Sequence, residues 1–181
     1  MLRYLKGTSS YSLTYGSSAG DLSIQPQGYC DSDYAGSGPE EQRRSTTGYI
    51  FMLAGGPIAW HSRLQPSVTL SSSEAEYMAL TEAGTEAKFL ASLLNDVGFP
   101  LSSALNIKED NTGAISFTQA HYTSSRAKHI DVRHHWIRQE LANGVISVSY
   151  IPTCEQLTDI LTKNLPLTTF RSFVSRILRV P

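Results

Sequence analysis

Sulfur, net charge and long apolar runs are all scarce in this chain. Two cysteines, Cys30 and Cys154, in 181 residues are too few and too isolated for a disulfide framework or a thiolate zinc site, and fit a reducing compartment. No apolar run approaches the length of a membrane span, and Met1-Leu2-Arg3-Tyr4 does not begin a basic-then-apolar leader. A soluble, cytoplasmic protein with no membrane partner is the expectation. Fifteen Lys and Arg against 16 Asp and Glu leave a formal charge of -1. The chain as a whole does not attract polyanions, so any nucleic-acid binding rests on local clusters. Such clusters occur at Arg43-Arg44, at Arg63, and from Arg126 through Lys128, His129, Arg133, His134 and His135 to Arg138. Repeats, low-complexity tracts and charged tails are lacking. With 40% hydrophobic residues the chain builds one good core and has no room for a second sizeable domain.

What is present centres on Gly28-Tyr29-Cys30-Asp31-Ser32-Asp33-Tyr34-Ala35-Gly36. It reads as a strand, with Tyr29, Asp31 and Asp33 on one face and Cys30, Ser32 and Tyr34 on the other. Half-buried sheet positions penalise an unpaired charge, so two carboxylates on one face need a reason. They mark either an exposed edge or turn, or a cation site; spacing alone leaves Asp31 and Asp33 equivalent.

Residues 47 to 53 are aromatic, β-branched and apolar enough for a buried strand, the turn Ala54-Gly55-Gly56-Pro57 follows, and Ile58 to Ser62 runs back. Three antiparallel strands in succession are expected. Ser71-Ser72-Ser73-Glu74-Ala75-Glu76 opens a long helix with hydroxyl caps and Glu three positions after Ser. From Glu76, the residues Leu80, Ala83, Ala87, Leu90 and Leu94 form one apolar stripe facing the sheet. Gly98 and Pro100 end that helix. Leu105 to Asp110 makes a fourth strand, with Asp110 available to cap a helix starting near Asn111. A helix over residues 130 to 141, a fifth strand over 145 to 151, and helices over 156 to 165 and 167 to 180 complete the chain. A strand after a long helix is how parallel pairing arises.

Glu76, Asp110 and Asp159 each admit a structural reading. Glu76 suits a capping box with Ser73, Asp110 a helix N-cap, and Asp159 an ion pair with Lys163 four positions on. Jointly they suggest more, because Asp31 is on the sheet, Glu76 heads the stripe against it, and Asp110 leaves the end of an adjoining strand. Asp159 opens a helix after the last strand. Four converging carboxylates require cations, and an all-oxygen set suits Mg2+ or Mn2+.

Five segments together resemble the ribonuclease H domain of copia-type retrotransposon Pol polyproteins: Tyr29-Cys30-Asp31-Ser32-Asp33-Tyr34-Ala35-Gly36, Arg44-Ser45-Thr46-Thr47-Gly48-Tyr49, Leu70-Ser71-Ser72-Ser73-Glu74-Ala75-Glu76-Tyr77, Lys128-His129-Ile130-Asp131 and Gln156-Leu157-Thr158-Asp159-Ile160-Leu161-Thr162-Lys163. The opening Leu2-Arg3-Tyr4-Leu5-Lys6-Gly7-Thr8 resembles the end of the reverse transcriptase in such polyproteins. The resemblance implies an α/β, ribonuclease H-like fold: a five-stranded mixed sheet, three antiparallel strands then two parallel additions, flanked by α-helices. It implies a division into residues 1–20 (reverse-transcriptase remnant and linker), 21–166 (ribonuclease H domain) and 167–181 (helical tail). It also selects Asp31 over Asp33 and Glu76 over Glu74 as members of a metal-binding catalytic set with Asp110 and Asp159. The segment from Asn111 to Tyr122 departs from the family's wording, and Thr158 stands where a small Ala is common. No His near Pro152-Thr153-Cys154-Glu155 corresponds to that of the cellular enzymes' mobile loop, which implies weaker help with proton transfer or product release.

The implied activity is hydrolysis of the RNA strand of an RNA/DNA hybrid with two Mg2+ ions, or Mn2+ in their place, during reverse transcription. Asp31 would bridge both ions, Asp159 complete the nucleophile side, and Glu76 with Asp110 hold the leaving-group side. Arg44, Ser45, Thr46, Ser71, Ser72, Ser73 and Asn111 are candidate substrate contacts. The expected partners are the hybrid and the reverse-transcriptase portion of the same polyprotein. The isolated domain is expected to be a monomer, and the setting a cytoplasmic virus-like particle. A zinc site at His129, Asp131, His134 and His135 is disfavoured, since His134 reads as core-facing. The rival functions are a catalytically silent hybrid-binding relic, which the intact carboxylate set opposes, and another nuclease or strand-transfer enzyme on the same fold.

Overall fold

Two adjacent residues of one strand show how the layers are made. The computed structural model describes residues 2–16, 25–36, 43–119 and 136–180. In it, Ile50 and Phe51 sit side by side on β2 (Thr46–Leu53) and enter different cores on opposite faces of the sheet, as strand alternation requires. Phe51 joins Cys30, Tyr77, Leu80 and Ile107, among others, under the long helix. Ile50 joins Leu157 and Phe173 on the other face. The candidate zinc residues His129, Asp131, His134 and His135, and the basic run before Arg138, lie outside the described residues.

The sheet has the order β3-β2-β1-β4-β5. β1 (Gln27–Asp33) pairs antiparallel with β2, and β2 with β3 (Gly56–Leu64). β4 (Leu105–Glu109) lies parallel to β1, and β5 (Ile146–Tyr150) parallel to β4. The expected three antiparallel strands followed by two parallel additions are therefore present, with the carboxylate strand at the centre. The β2–β3 connection is narrower than the sequence suggests. Ala54 and Gly55 alone form it, both at positive φ (50° and 83°), the geometry that matches the twist of a two-residue hairpin.

Helix α1 (Leu2–Gly7) buries no residue. Helix α2 (Ser72–Asp96) lays Glu76, Leu80, Ala83, Ala87 and Leu90 into the sheet, as the stripe predicts, while Leu94 at the stripe's end is only partly buried. Helix α3 (Thr112–Gln119) follows β4, and α4 covers residues 136–142. After β5 the chain makes a 3-10 turn at Thr153–Glu155 and then only a four-residue helix, α5 (Asp159–Thr162). The helix expected from 156 to 165 is shorter at both ends. Before it, Gln156 is fully buried, its Nε2 donating to the Cys30 carbonyl at 2.8 Å and its Oε1 accepting from Thr158 Oγ1 at 2.6 Å. After it, Lys163 is already extended, three residues ahead of Pro166. Helix α6 (Leu167–Ile177) buries Phe173 and Val174, and Phe173 enters the second core.

Candidate active site at the end of the central strand

Asp31 is fully buried at the C-terminal half of β1. Two residues beyond Tyr29, which packs on the second core, it shares that residue's face of the strand. Its cross-strand partner is Gly48. A Cβ at Gly48 would lie 2.6 Å from Thr162 Cγ2 and 3.3 Å from Leu161 Cβ, so only glycine lets α5 come this close. The approach seats Thr162 Oγ1 as a donor to Asp31 Oδ2, while Lys163 Nζ donates to Asp31 Oδ1 at 2.7 Å and to Asp159 Oδ1 at 2.8 Å. The Asp159–Lys163 pair expected from i, i+4 spacing is real, and the same ammonium crosses to β1 as well.

Glu76 is free to face β1 because other residues cap its helix. Ser71 is the N-cap and accepts from the Glu74 amide at 3.2 Å, and Glu74 Oε2 accepts from the Leu70 amide at 2.8 Å. The capping-box role considered for Glu76 thus falls to Glu74. Glu76 Oε2 instead accepts from the Ser32 amide at 2.7 Å. Asp110 is released in the same way. Asn111 caps α3, its Oδ1 accepting from the Ala114 amide at 3.0 Å, and Ser73 Oγ donates to that same oxygen at 3.3 Å. As a result one oxygen each from Asp31, Glu76 and Asp110 lie within 4.8 Å of one another. Asp159 stands apart from this trio and reaches Asp31 through Lys163. Asp33, half-buried at the end of β1, is outside it.

A fifth carboxyl, Glu109, is not among the candidates that the sequence offers. The signal was there: Leu105, Ile107 and Glu109 alternate on the buried face of β4. Glu109 is fully buried; its Oε2 accepts from Cys30 Sγ at 3.2 Å and its Oε1 from the Asn111 amide at 2.9 Å. It therefore braces the turn that carries Asp110. Burial pushes its carboxyl up to about 8, against the lowering effect of those two donors. Burial, then the charges of Glu109, Asp31 and Asp110, push Glu76 up to about 10. Burial raises Asp159 only to about 6, because the Lys163 hydrogen bond opposes it. Burial by itself would depress Lys163, but Asp31 and Asp159 outweigh it and hold the ammonium well above its ordinary value.

The donor set fits a hard divalent cation: all oxygen, largely buried and close-set, with Lys163 on Asp31 its one basic partner among the described residues. Ser32 Oγ, beside Glu76, is buried without a protein partner among the described residues, as expected where a hydrated ion is to be accommodated.

Of the candidate substrate residues, Ser71 and Ser72 are exposed, and Arg44, Thr46, Ser73 and Asn111 are partly so. Ser45 is fully buried; its hydroxyl pairs with Thr69 Oγ1 at 3.1 Å and accepts from the Ala35 amide at 3.3 Å.

This sheet order and layering define a ribonuclease H-like fold. The structure is similar to ribonuclease H1 isolated from compost by metagenomics (TM-score 0.57, 16% identity, 77% of this chain and 93% of that one). It is also similar to that enzyme in complex with an RNA/DNA hybrid (TM-score 0.55, 14% identity, 76% and 94%) and to the N-terminal ribonuclease H domain of a Mycobacterium tuberculosis protein (TM-score 0.52, 11% identity, 84% and 98%). No family profile matches the chain. In sequence it is 40% identical over 170 residues to the retrovirus-related Pol polyprotein from transposon TNT 1-94 of Nicotiana tabacum, covering 94% of this chain. It is 37% identical over 183 residues to that from transposon RE1 of Arabidopsis thaliana, covering all of it. The relatives that it matches over nearly its whole length are thus retrovirus-related Pol polyproteins from copia-type transposons, and the chain spans about 12% of their length. No helix among the described residues is long and apolar enough to cross a membrane.

Proposed function

We propose that this domain is an endoribonuclease that cuts the RNA strand of RNA/DNA hybrids during reverse transcription of a retrotransposon. The observation that carries the reading is the meeting of Asp31, Glu76 and Asp110 within 4.8 Å at the end of the central strand. Asp159 lies across Asp31 and shares Lys163 with it. Two Mg2+ ions, or Mn2+ in their place, would supply an activated water on one side of the scissile phosphate and charge neutralisation of the leaving oxygen on the other. Asp31 would serve both ions, Glu76 and Asp110 the leaving-group side, and Asp159 the nucleophile side. Asn111 fixes the start of α3 beside Asp110, and Glu109 holds the turn between them. Ser71, Ser72, Ser73, Asn111, Arg44 and Thr46 are suited to sugar and phosphate contacts at the rim. Ser45 supports that rim from beneath through Thr69 and Ala35.

The hybrid is the proposed substrate, and the reverse-transcriptase portion of the same polyprotein the proposed partner. With a net charge of -1, the domain would borrow much of its backbone contact from that partner, acting as one copy in the cytoplasmic particle. The test is cleavage of labelled hybrid, duplex RNA and duplex DNA, with and without Mg2+. Metal-dependent cutting of RNA in the hybrid alone is expected. Binding of hybrid with no cleavage under any metal would make the domain a silent relic, and cutting of duplex DNA would make it a different nuclease.

A further inference from the structure

Resting on the two-cation reading, we propose that the Lys163 ammonium is a built-in counter-cation on the Asp159 side of Asp31, and that it makes the two ion positions fill in a fixed order. The trio of Asp31, Glu76 and Asp110 has no basic partner at Glu76 or Asp110 among the described residues. An ion entering there meets Lys163 at one of its three carboxylates alone, Asp31. Between Asp31 and Asp159 the situation differs. Lys163 Nζ lies 2.7 Å from one carboxylate and 2.8 Å from the other, the distances of charge-assisted hydrogen bonds. An ammonium and a divalent ion cannot share that space, since both need the same oxygens and repel each other. The second position opens only when Lys163 leaves.

The surroundings allow it to leave. The Lys163 side chain is 31% exposed, and the residue is already in extended backbone at the end of α5 (φ -116°, ψ 152°). Its stem can therefore swing outward without unwinding the helix. Thr162 stays on Asp31 Oδ2 and keeps that carboxylate oriented meanwhile. Lys163 is thus a positioning residue: it holds two carboxylates of like charge together until an ion replaces it.

The test is a Mn2+ titration of the full chain without substrate, followed by calorimetry and by the electron paramagnetic signal of free Mn2+. The parent should take up one ion and then a second at least about tenfold more weakly, because the second must displace a paired charge. Lys163→Met, matched in length but uncharged, should tighten the second step by at least about tenfold and narrow the gap, while Lys163→Arg should preserve the gap. Should the Met variant fail to fold, the parent alone decides: in a Mg2+ titration the Lys163 ammonium resonance should stay in place through the first equivalent and move with the second. Two ions bound with equal affinity by the parent, an unchanged gap in Lys163→Met, or a lysine signal that ignores the second equivalent would each overturn the ordering while leaving the two-cation reading in place. No ion bound at all would remove that reading itself.

Discussion

The two sides of Asp31 are built from the same side chain chemistry and are compensated differently. Toward Glu76 and Asp110 three carboxyls crowd one point, and burial with mutual repulsion drives Glu76 to about 10. Toward Asp159 the carboxyl is less deeply desolvated and one ammonium spans the pair, so that burial lifts Asp159 only to about 6. The Lys163 ammonium opposes the rise at Asp159 directly, through a hydrogen bond, and at Glu76 only from a distance. The four acidic residues therefore do not form a symmetric cage.

Removing the residue common to both sides should have the largest effect. Asp31→Asn is expected to lower cleavage of the hybrid by on the order of a thousandfold or more, about 4 kcal/mol of barrier, with the circular dichroism spectrum retained. Asp33→Asn, outside the trio, should stay within about tenfold of the parent. If the two variants exchanged roles, the comparison would have been drawn around the wrong strand residue.

Gly48→Ala breaks the Asp159 side alone. The added methyl meets Thr162 Cγ2 and Leu161 and pushes α5 away from Asp31, and a shift near 1 Å costs about a hundredfold in rate. Calorimetric loss of the second bound ion with retention of the first would sharpen the distinction; loss of both together would erase it.

The pH dependence of stability probes both sides at once. Glu76, Glu109 and Asp159 all have folded values raised above the ordinary carboxylate value, to about 10, 8 and 6. The folded state thus holds more protons than the unfolded chain above about pH 4.5. Stability is full below that and declines as pH rises, first through the range of Asp159 and then through those of Glu109 and Glu76. Without metal the melting temperature should fall by roughly 5 °C or more between pH 5 and pH 8, and Mg2+ should restore more at pH 8 than at pH 5. A metal-free melting temperature that climbs over this interval would contradict the assignment of uncompensated carboxyls.

Asn111→Ala should have the smallest consequence, about 1 kcal/mol of stability from the lost cap of α3, read by urea unfolding. It should loosen Asp110 and leave the ion pair of Lys163 with Asp31 and Asp159 unchanged. A loss above about 3 kcal/mol would mean that Asn111 holds more of the trio than its cap contact explains.

Much of this architecture is legible in the residues. The alternation around Asp31, the hairpin at Ala54-Gly55 and the stripe from Glu76 to Leu90 follow from periodicity and turn chemistry, because each depends on neighbours in sequence. What escapes depends on contacts across the fold. Capping by Asn111 rather than Asp110 turns on a one-residue difference in where α3 begins. The late start of α5 goes with Gln156 reaching the Cys30 carbonyl, a tertiary bond set against helical propensity. The crossing of Lys163 to Asp31 has no local signature, since i, i+4 spacing accounts for its other partner in full. Ser45 looks like a polar turn residue and is buried because Thr69 and Ala35 satisfy it.

The seating of α5 on β1 through Gln156 has a consequence in time as well as space. Synthesis runs from the N-terminus, and a domain folds as a unit once its parts are available. Asp31, Glu76 and Asp110 enter the growing chain well before Gln156 is made, while the sheet is completed by β5 only just ahead of it. Asp159, Thr162 and Lys163 then arrive together on a helix of four residues, too short to hold its shape alone and dependent on a finished sheet for its position. The proposed site therefore stays incomplete in the nascent chain until translation has passed residue 163.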